Sequence, residues 1–232
     1  TDRDEVVRGD EVVLCTTGDG TTSEGEFWEA LNTATNLKLP IVFLVEDNGY
    51  AISVPVEVST AGGSISRLLT GFPGLFIQEV DGCDVMASFD VLNKAVDYAR
   101  ARKGPALVHA HVIRPYSHSL SDDEIQYRPA SERKADSERD PLTRFPRFLL
   151  EQGAASQAEL DLIAQQVAEE VQVAADVALA SPQPATDTIH RYVYSPDVDP
   201  TSEQFDTEDD PRFTGDPTTM VDLLNACLRD EM

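Results

Sequence analysis

The sequence predicts an α/β protein, a doubly wound parallel sheet with helices on both faces, followed by C-terminal helices and an acidic linker. Three observations predict it. Apolar runs of strand length alternate with helical patterns. The first two strand patterns end at Gly, Asp or Asn clusters. The segments joining the strands are long enough for the crossover helices that parallel strands require.

The elements follow in order. Residues 11–19, Glu-Val-Val-Leu-Cys-Thr-Thr-Gly-Asp, read as a strand, and residues 41–47 as a second. Between them Phe27, Leu31, Ala34 and Lys38 recur at helical spacing, giving a βαβ unit whose strand ends share one sheet edge. A Gly/Ser loop over 59–66 precedes a third strand pattern at 75–80. A helix over 84–102 carries Val85, Phe89, Leu92, Val96 and Ala99 on one stripe and stops at Lys103-Gly104-Pro105. Residues 106–113 are apolar enough for a strand inside a parallel sheet.

Residues 114–140 read as one long polar loop, and loops of that length in compact domains are usually functional or disordered. A short helix is expected over 141–152. A longer one opens on the capping box Ser156-Gln157-Ala158-Glu159 and carries Leu160, Ile163, Val167, Val171, Ala174 and Ala178, a stripe expected to pack on the sheet or on a partner subunit. From Asp197 the chain turns acidic and Pro-rich, the composition of a solvated linker. Residues 219–232 become amphipathic again through Met220, Leu223, Leu224 and Cys227. The organisation expected is a sheet domain over 1–195, a linker over 196–218 and a separate opening helix over 219–232.

Bulk properties narrow the function. With 18 basic against 42 acidic residues in 232, a net charge of −24 argues against nucleic acid or an anionic membrane as partner. No apolar run approaches transmembrane length, and the opening residues show no signal-peptide pattern. Cys15, Cys83 and Cys227 are scattered and odd in number, so they read as reduced core residues, and the expected location is cytoplasmic.

The chemistry concentrates at two strand ends. Gly18-Asp19-Gly20 closes the first strand and Glu46-Asp47-Asn48-Gly49-Tyr50 the second. Ligands of parallel sheets bind at the carboxyl ends of strands, so Asp19 and Asn48 converge. The glycines let backbone N–H groups approach a phosphate and leave the next helix N-terminus open. A carboxylate beside a phosphate is repulsive unless a cation lies between them. Asp19 and the Asn48 amide oxygen are hard donors of the kind Mg²⁺ or Ca²⁺ selects. A divalent ion bridging protein oxygens to a diphosphate accounts for both signatures.

Gly18-Asp19-Gly20 with Asp47-Asn48 resembles the thiamine-diphosphate fingerprint. The wording of residues 21–32 and 38–53 resembles the α subunit of 2-oxo acid dehydrogenases, the decarboxylating first components of the pyruvate and branched-chain complexes. The resemblance implies a thiamine-diphosphate-binding fold, with Mg²⁺ held by the side chains of Asp19 and Asn48 and the backbone carbonyl of Tyr50. It places Gly18, Gly20 and Thr21 along the diphosphate. The family usually has Asn-Asn where this chain has Asp47-Asn48, which adds negative charge beside the site.

Residues 114–128, with Arg114-Pro115-Tyr116-Ser117-His118-Ser119-Leu120-Ser121-Asp122-Asp123, resemble the family loop whose His reaches the cofactor. By position His118 matches that His and Ser119 the Ser that is a kinase target in mitochondrial forms. Arg114, also expected at the cofactor, matches an ordering residue of the loop, as do Asp122, Tyr127 and Arg128. Imidazole exchanges protons near neutrality, which suits His118 as donor to an anionic intermediate. His109 and His111 alternate with apolar residues and read as core or second-layer groups.

Residues 219–232 are similar to the opening helix of the family's β subunit, so the implied order is α region, acidic linker, β region, as in fused forms. Little chain precedes Gly18, and the sequence is expected to be a fragment of the family enzyme. The implied partners are the β subunit or β region, the upstream part of the α region, a lipoyl acyltransferase component and a 2-oxo acid, in a dimer of fused chains or an α/β heterotetramer. The activating glutamate belongs to the β region. The wording of residues 119–123 tilts the substrate towards branched-chain 2-oxo acids. The alternatives are a pyruvate or acetoin dehydrogenase, a transketolase-type enzyme, or a non-catalytic Mg²⁺-binding doubly wound module, which leaves residues 114–128 unexplained.

Overall fold

A computed structural model describes residues 9–191, 193, 197–198, 202–203 and 218–231. The chain divides into two compact units, Thr1–Ala168 and Glu169–Met232. The first is built on a four-stranded parallel sheet in the order β1 (Val13–Gly18), β2 (Ile41–Asp47), β6 (Ala106–His111), β5 (Phe76–Asp81). A two-stranded antiparallel ribbon, β3 (Tyr50–Ala51) with β4 (Val54–Pro55), follows β2.

Two layers cover the sheet, as expected for a doubly wound arrangement. On one face α1 (Gly25–Leu37) buries Phe27, Leu31 and Ala34 against Phe43, Val45 and Leu107, and α3 (Ile65–Leu68) adds Ile65. On the other, α4 (Val85–Arg100) buries Ala95 and Ala99 against Val42, Val80, Val108 and Ala110. The alternation of Leu107 and His109 with Val108 and Ala110 sends successive β6 side chains to opposite layers. A side chain as completely buried as Leu31 or Leu107 contributes roughly 1.5–3 kcal/mol, so these layers hold the strand ends in place. Lys38, expected on the α1 stripe, instead caps the helix in a left-handed conformation (φ 52°).

Four expectations change. The Gly/Ser segment 59–66 is not one loop: it spans the end of α2 (Val56–Ser59), a turn at Ala61–Gly63 and the start of α3. Residues 114–140 contain a helix, α5 (Ala130–Arg139), with no buried residue. It has no apolar stripe to betray it; Glu132 and Asp136, one and two turns beyond Arg128, are tied to that arginine. Cys83 is buried, but Cys227 in the last helix is exposed, and so is Cys15, because β1 is an edge strand with Val13 and Leu14 also open to solvent. In α7 (Gln157–Ala180) the capping box forms, Glu159 accepting from the Ser156 N–H and hydroxyl at 2.8 Å. Within the first unit its apolar stripe is not buried as expected, Ile163 and Val167 being more than half exposed.

Between them lies α6 (Pro141–Glu151), capped by Asp140. The second unit holds the rest of α7, a turn at Thr186–His190 and α8 (Met220–Glu231), where Thr219 and Asp222 cap reciprocally. Most of the expected linker, 196–218, lies outside the described residues. No described helix is long and apolar enough to cross a membrane.

Candidate functional site

The carboxyl edge of the sheet gathers the residues named from sequence. Gly18 ends β1 opposite Glu46, which brings Asp19 beside Asp47 and Asn48. Asp19 is 2% exposed, and neither carboxylate oxygen has a hydrogen-bond donor. Burial and then the neighbouring Asp47 carboxylate raise its pKa above the ordinary value, partly offset by the nearby N–H groups of Asp19 and Asn48, which close no hydrogen bond to it, and by Arg114. Buried polar atoms almost always have partners. A hard cation is the partner that suits two bare carboxylate oxygens.

The rest of the donor set fits that ion. Asn48 Oδ1 accepts from the Tyr50 N–H at 3.2 Å, an Asx turn that leaves a second lone pair for a ligand. Gly49, at φ +83°, takes the left-handed conformation this turn needs. A Cβ on Gly20 would stand 2.8 Å from that of Ala51, so the turns after β1 and β2 touch and only glycine fits. The helix N-terminus is not open as expected. A 3₁₀ turn, Gly20–Ser23, intervenes before α1, with Thr22 donating its N–H (3.1 Å) and hydroxyl (2.7 Å) to the Asp19 carbonyl.

A cleft of about 430 Å³ joins these residues to the loop. It is lined by Gly18, Asp19, Gly20, Thr21, Asn48, Tyr50 and His118, together with Glu24, which sequence reasoning passed over. His118 and Ser119 are exposed, and the Ser119 and Ser121 hydroxyls lie 3.2 Å apart.

Charged side chains shape the loop. Tyr127 donates its hydroxyl to Asp122 at 2.6 Å, Asp122 also accepts the His118 N–H at 2.8 Å, and Arg114 donates to the Tyr127 oxygen at 2.6 Å. The Tyr127 hydroxyl first, and the His118 N–H second, hold the Asp122 carboxyl below the ordinary range. Arg128, 1% exposed, donates to Glu124 (2.8 Å), Glu132 (3.0 Å), Asp136 and the Arg114 carbonyl (2.9 Å). Its guanidinium lies over the Tyr50 ring, whose hydroxyl donates to Glu132 at 3.1 Å. Arg114 also donates to the carbonyl of Ile52 at 2.7 Å. Ile52 holds φ +58°, a costly conformation for a β-branched residue, in the turn between β3 and β4. The carboxylates around Arg128 were legible as i−4, i+4 and i+8 spacings.

Asp47 accepts the Gly49 N–H at 2.8 Å through Oδ1 and faces His109 Nε2 at 2.8 Å through Oδ2. Burial works to raise its pKa, but the His109 and Gly49 hydrogen bonds outweigh it and hold the carboxyl below its usual value. His109 is fully buried, as its strand position suggested, whereas His111 is about half exposed.

A parallel sheet whose carboxyl edge offers a bare carboxylate, an amide oxygen and a glycine turn defines a metal- and phosphate-binding α/β protein. The family model described as dehydrogenase E1 component matches residues 6–187, and the chain belongs to that family, which depends on thiamine diphosphate and a metal ion. The pyruvate dehydrogenase E1 component subunit alpha of Porphyra purpurea is 38% identical over 187 residues, 79% of this chain and 53% of that protein. The mitochondrial somatic form from Homo sapiens is 33% identical over 189 residues, 81% of this chain and 48% of that one. The 3-methyl-2-oxobutanoate dehydrogenase subunit alpha of Mycobacterium tuberculosis is 41% identical over 150 residues, 64% of this chain and 40% of that one. The chain spans about half the length of these relatives.

Proposed function

We propose that this chain supplies the metal and diphosphate half of the active site of a 2-oxo acid dehydrogenase. The observation that carries the reading is the Asp19 carboxylate, buried and unpaired at the floor of the cleft that Asn48, Tyr50 and His118 also line. Asp19, the Asn48 amide oxygen and the Tyr50 carbonyl hold Mg²⁺, and Gly18, Gly20 and Thr21 border the diphosphate. Thiamine diphosphate, when bound, supplies the electron sink that makes loss of CO₂ from a 2-oxo acid feasible.

The chain's own residues bind, orient and move a proton. With that ion bound, the Asp19 charge would be offset, and Gly18, Gly20 and Thr21 would border a side of the cleft favourable to an anion. His118, which lines the same cleft as the glycine turn, donates a hydrogen bond or proton to negative charge at the reacting centre. Arg114 sets the loop against the ribbon through the Ile52 carbonyl and so fixes the distance between His118 and the metal turn. Ser119, one residue on, is placed where added negative charge would disturb His118.

The acyl group passes to the lipoyl group of an acyltransferase partner, and a β subunit or β region completes the site. The amphipathic pattern of residues 219–232 supports a β region joined through the acidic linker. For the substrate we favour a branched-chain 2-oxo acid, on the wording of residues 119–123. The test is kcat/KM of the assembled full-length enzyme for 3-methyl-2-oxobutanoate against pyruvate. A preference of at least about tenfold for the branched acid is expected, since one or two methylenes in an apolar pocket discriminate by that order. Preference for pyruvate removes the branched-chain reading, and turnover of neither removes the dehydrogenase reading.

A further inference from the structure

Behind the metal turn runs a chain of polar groups that the site does not use. Asp47 Oδ2 meets His109 Nε2 at 2.8 Å, His109 Nδ1 meets Ser66 Oγ at 2.9 Å, and Ser66 Oγ donates to Glu79. His109 is fully buried, and Asp47 and Ser66 are nearly so.

Asp47 Oδ2 can only accept, so the proton of its bond to the ring sits on His109 Nε2. On the other side His109 Nδ1 meets the Ser66 hydroxyl, and Ser66 is held in turn by Ser64 at 3.0 Å and by Glu79. The ring is pinned from both sides, and Asp47 has a donor on each oxygen, the Gly49 N–H on Oδ1 and His109 on Oδ2. Asn at position 47, which the family usually has, would instead donate its own N–H to an unprotonated Nε2.

We infer that His109 is a positioning residue of the metal turn. It holds Asp47 through Oδ2 so that Oδ1 stays on the Gly49 N–H, and the Asp47–His109 pair thereby sets Asn48 and Tyr50. Asp47, His109 and His111 each present a ligand atom within 4.8 Å of the others, a spacing that also suits a cation.

The inference rests on the reading of Asn48 as a metal ligand, and the test separates the two. In the assembled full-length enzyme, His109→Leu, Asp47→Asn and the double variant are compared by calorimetric titration of thiamine diphosphate with Mg²⁺ and by thermal unfolding without either. His109→Leu strands a buried carboxylate, so cofactor binding should weaken by about tenfold or more with a lowered Tm. Asp47→Asn should stay within about threefold of wild type, because its amide N–H can donate to a neutral His109. The double variant should recover most of the His109→Leu loss, since contacting partners are not additive. If His109→Leu alone does not fold, a folded double variant is the same rescue. Additive defects, or a double variant worse than either single one, mean that His109 only fills space and overturn the inference. So does a tightly held transition metal that His111→Ala releases. Wild type without Mg²⁺-dependent cofactor binding defeats the functional reading instead, while the rescue in Tm still decides the Asp47–His109 pair.

Discussion

The metal turn and the His118 loop face the same cleft but are held by different forces. The turn after β2 is held by the sheet: Asp47, Gly49 and Asn48 use backbone N–H groups, and the Asp47 carbonyl accepts the Val112 N–H at 2.8 Å. The loop from Arg114 to Arg139 buries few apolar side chains, with Tyr116, Leu120 and Ile125 exposed, and depends on Arg114 and Arg128 among carboxylates. The difference teaches that one site is built from a rigid half and a half that charge can loosen, and that damage to each half reads out differently.

The largest expected effect breaks the rigid half. Asp19→Ala removes the only bare buried carboxylate among the described residues, and cofactor affinity at ordinary Mg²⁺ should fall more than about 100-fold by calorimetry, beyond what outer-shell changes at metal sites cost. Unchanged affinity would falsify the metal assignment. Arg128→Leu strikes the other half. It strands Glu124, Glu132 and Asp136, and because all three keep some solvent contact the cost should be about 2–4 kcal/mol, at or below that of breaking a fully buried pair. Proteolysis of residues 115–127 should accelerate while cofactor affinity changes less than tenfold, roughly the range of a contact two steps removed from the metal. Equal loss in both readouts would mean that the halves are not separable.

Gly20→Ala sharpens the comparison from the rigid side. The new methyl meets Ala51 at 2.8 Å, so overpacking of about 1–3 kcal/mol is expected in thermal unfolding, and Ala51→Gly should restore most of it. The smallest effect is on pH. Asp122, held down by the Tyr127 hydroxyl and the His118 N–H, stabilises the loop above the ordinary carboxylate pKa and stops doing so as pH falls through its lower folded value. For Asp81, burial opposes the shift but Arg139, the Cys83 N–H and Arg144 outweigh it, so its link to α5 and α6 is lost in the same direction. Loop proteolysis should therefore rise on acidification below that range, and Tyr127→Phe should move the onset to higher pH. An onset on the alkaline side would contradict the assignment.

Much of this is legible in the sequence. The strands, α1, α4 and the meeting of Asp19 with Asn48 follow from apolar periodicity and from where parallel sheets place strand ends. What was hidden is polar. α5 has no apolar stripe, so it reads as loop until Arg128 supplies partners along one of its faces. Ser66 reads as part of a flexible Gly/Ser stretch, yet α3 buries it under His109. Glu79 and Asp81 stand opposite His109 and His111 in register, a pairing invisible until β5 is known to lie beside β6. Cys15 misled because its surroundings in sequence are apolar while its strand lies at the sheet edge.

Ile52 has a consequence in time as well as in space. A left-handed φ at such a residue costs on the order of 1–3 kcal/mol, and the bond that compensates comes from Arg114, 62 positions later in the chain. A ribosome that has released only the first strands has made a turn that its own sequence disfavours. The β3–β4 turn that borders the metal site is thus a late product of synthesis, completed when the histidine-bearing segment arrives to hold it. Pulsed hydrogen exchange during refolding should show protection at residues 52–54 appearing together with that at 118–128, and earlier protection of the turn would show that it closes unaided.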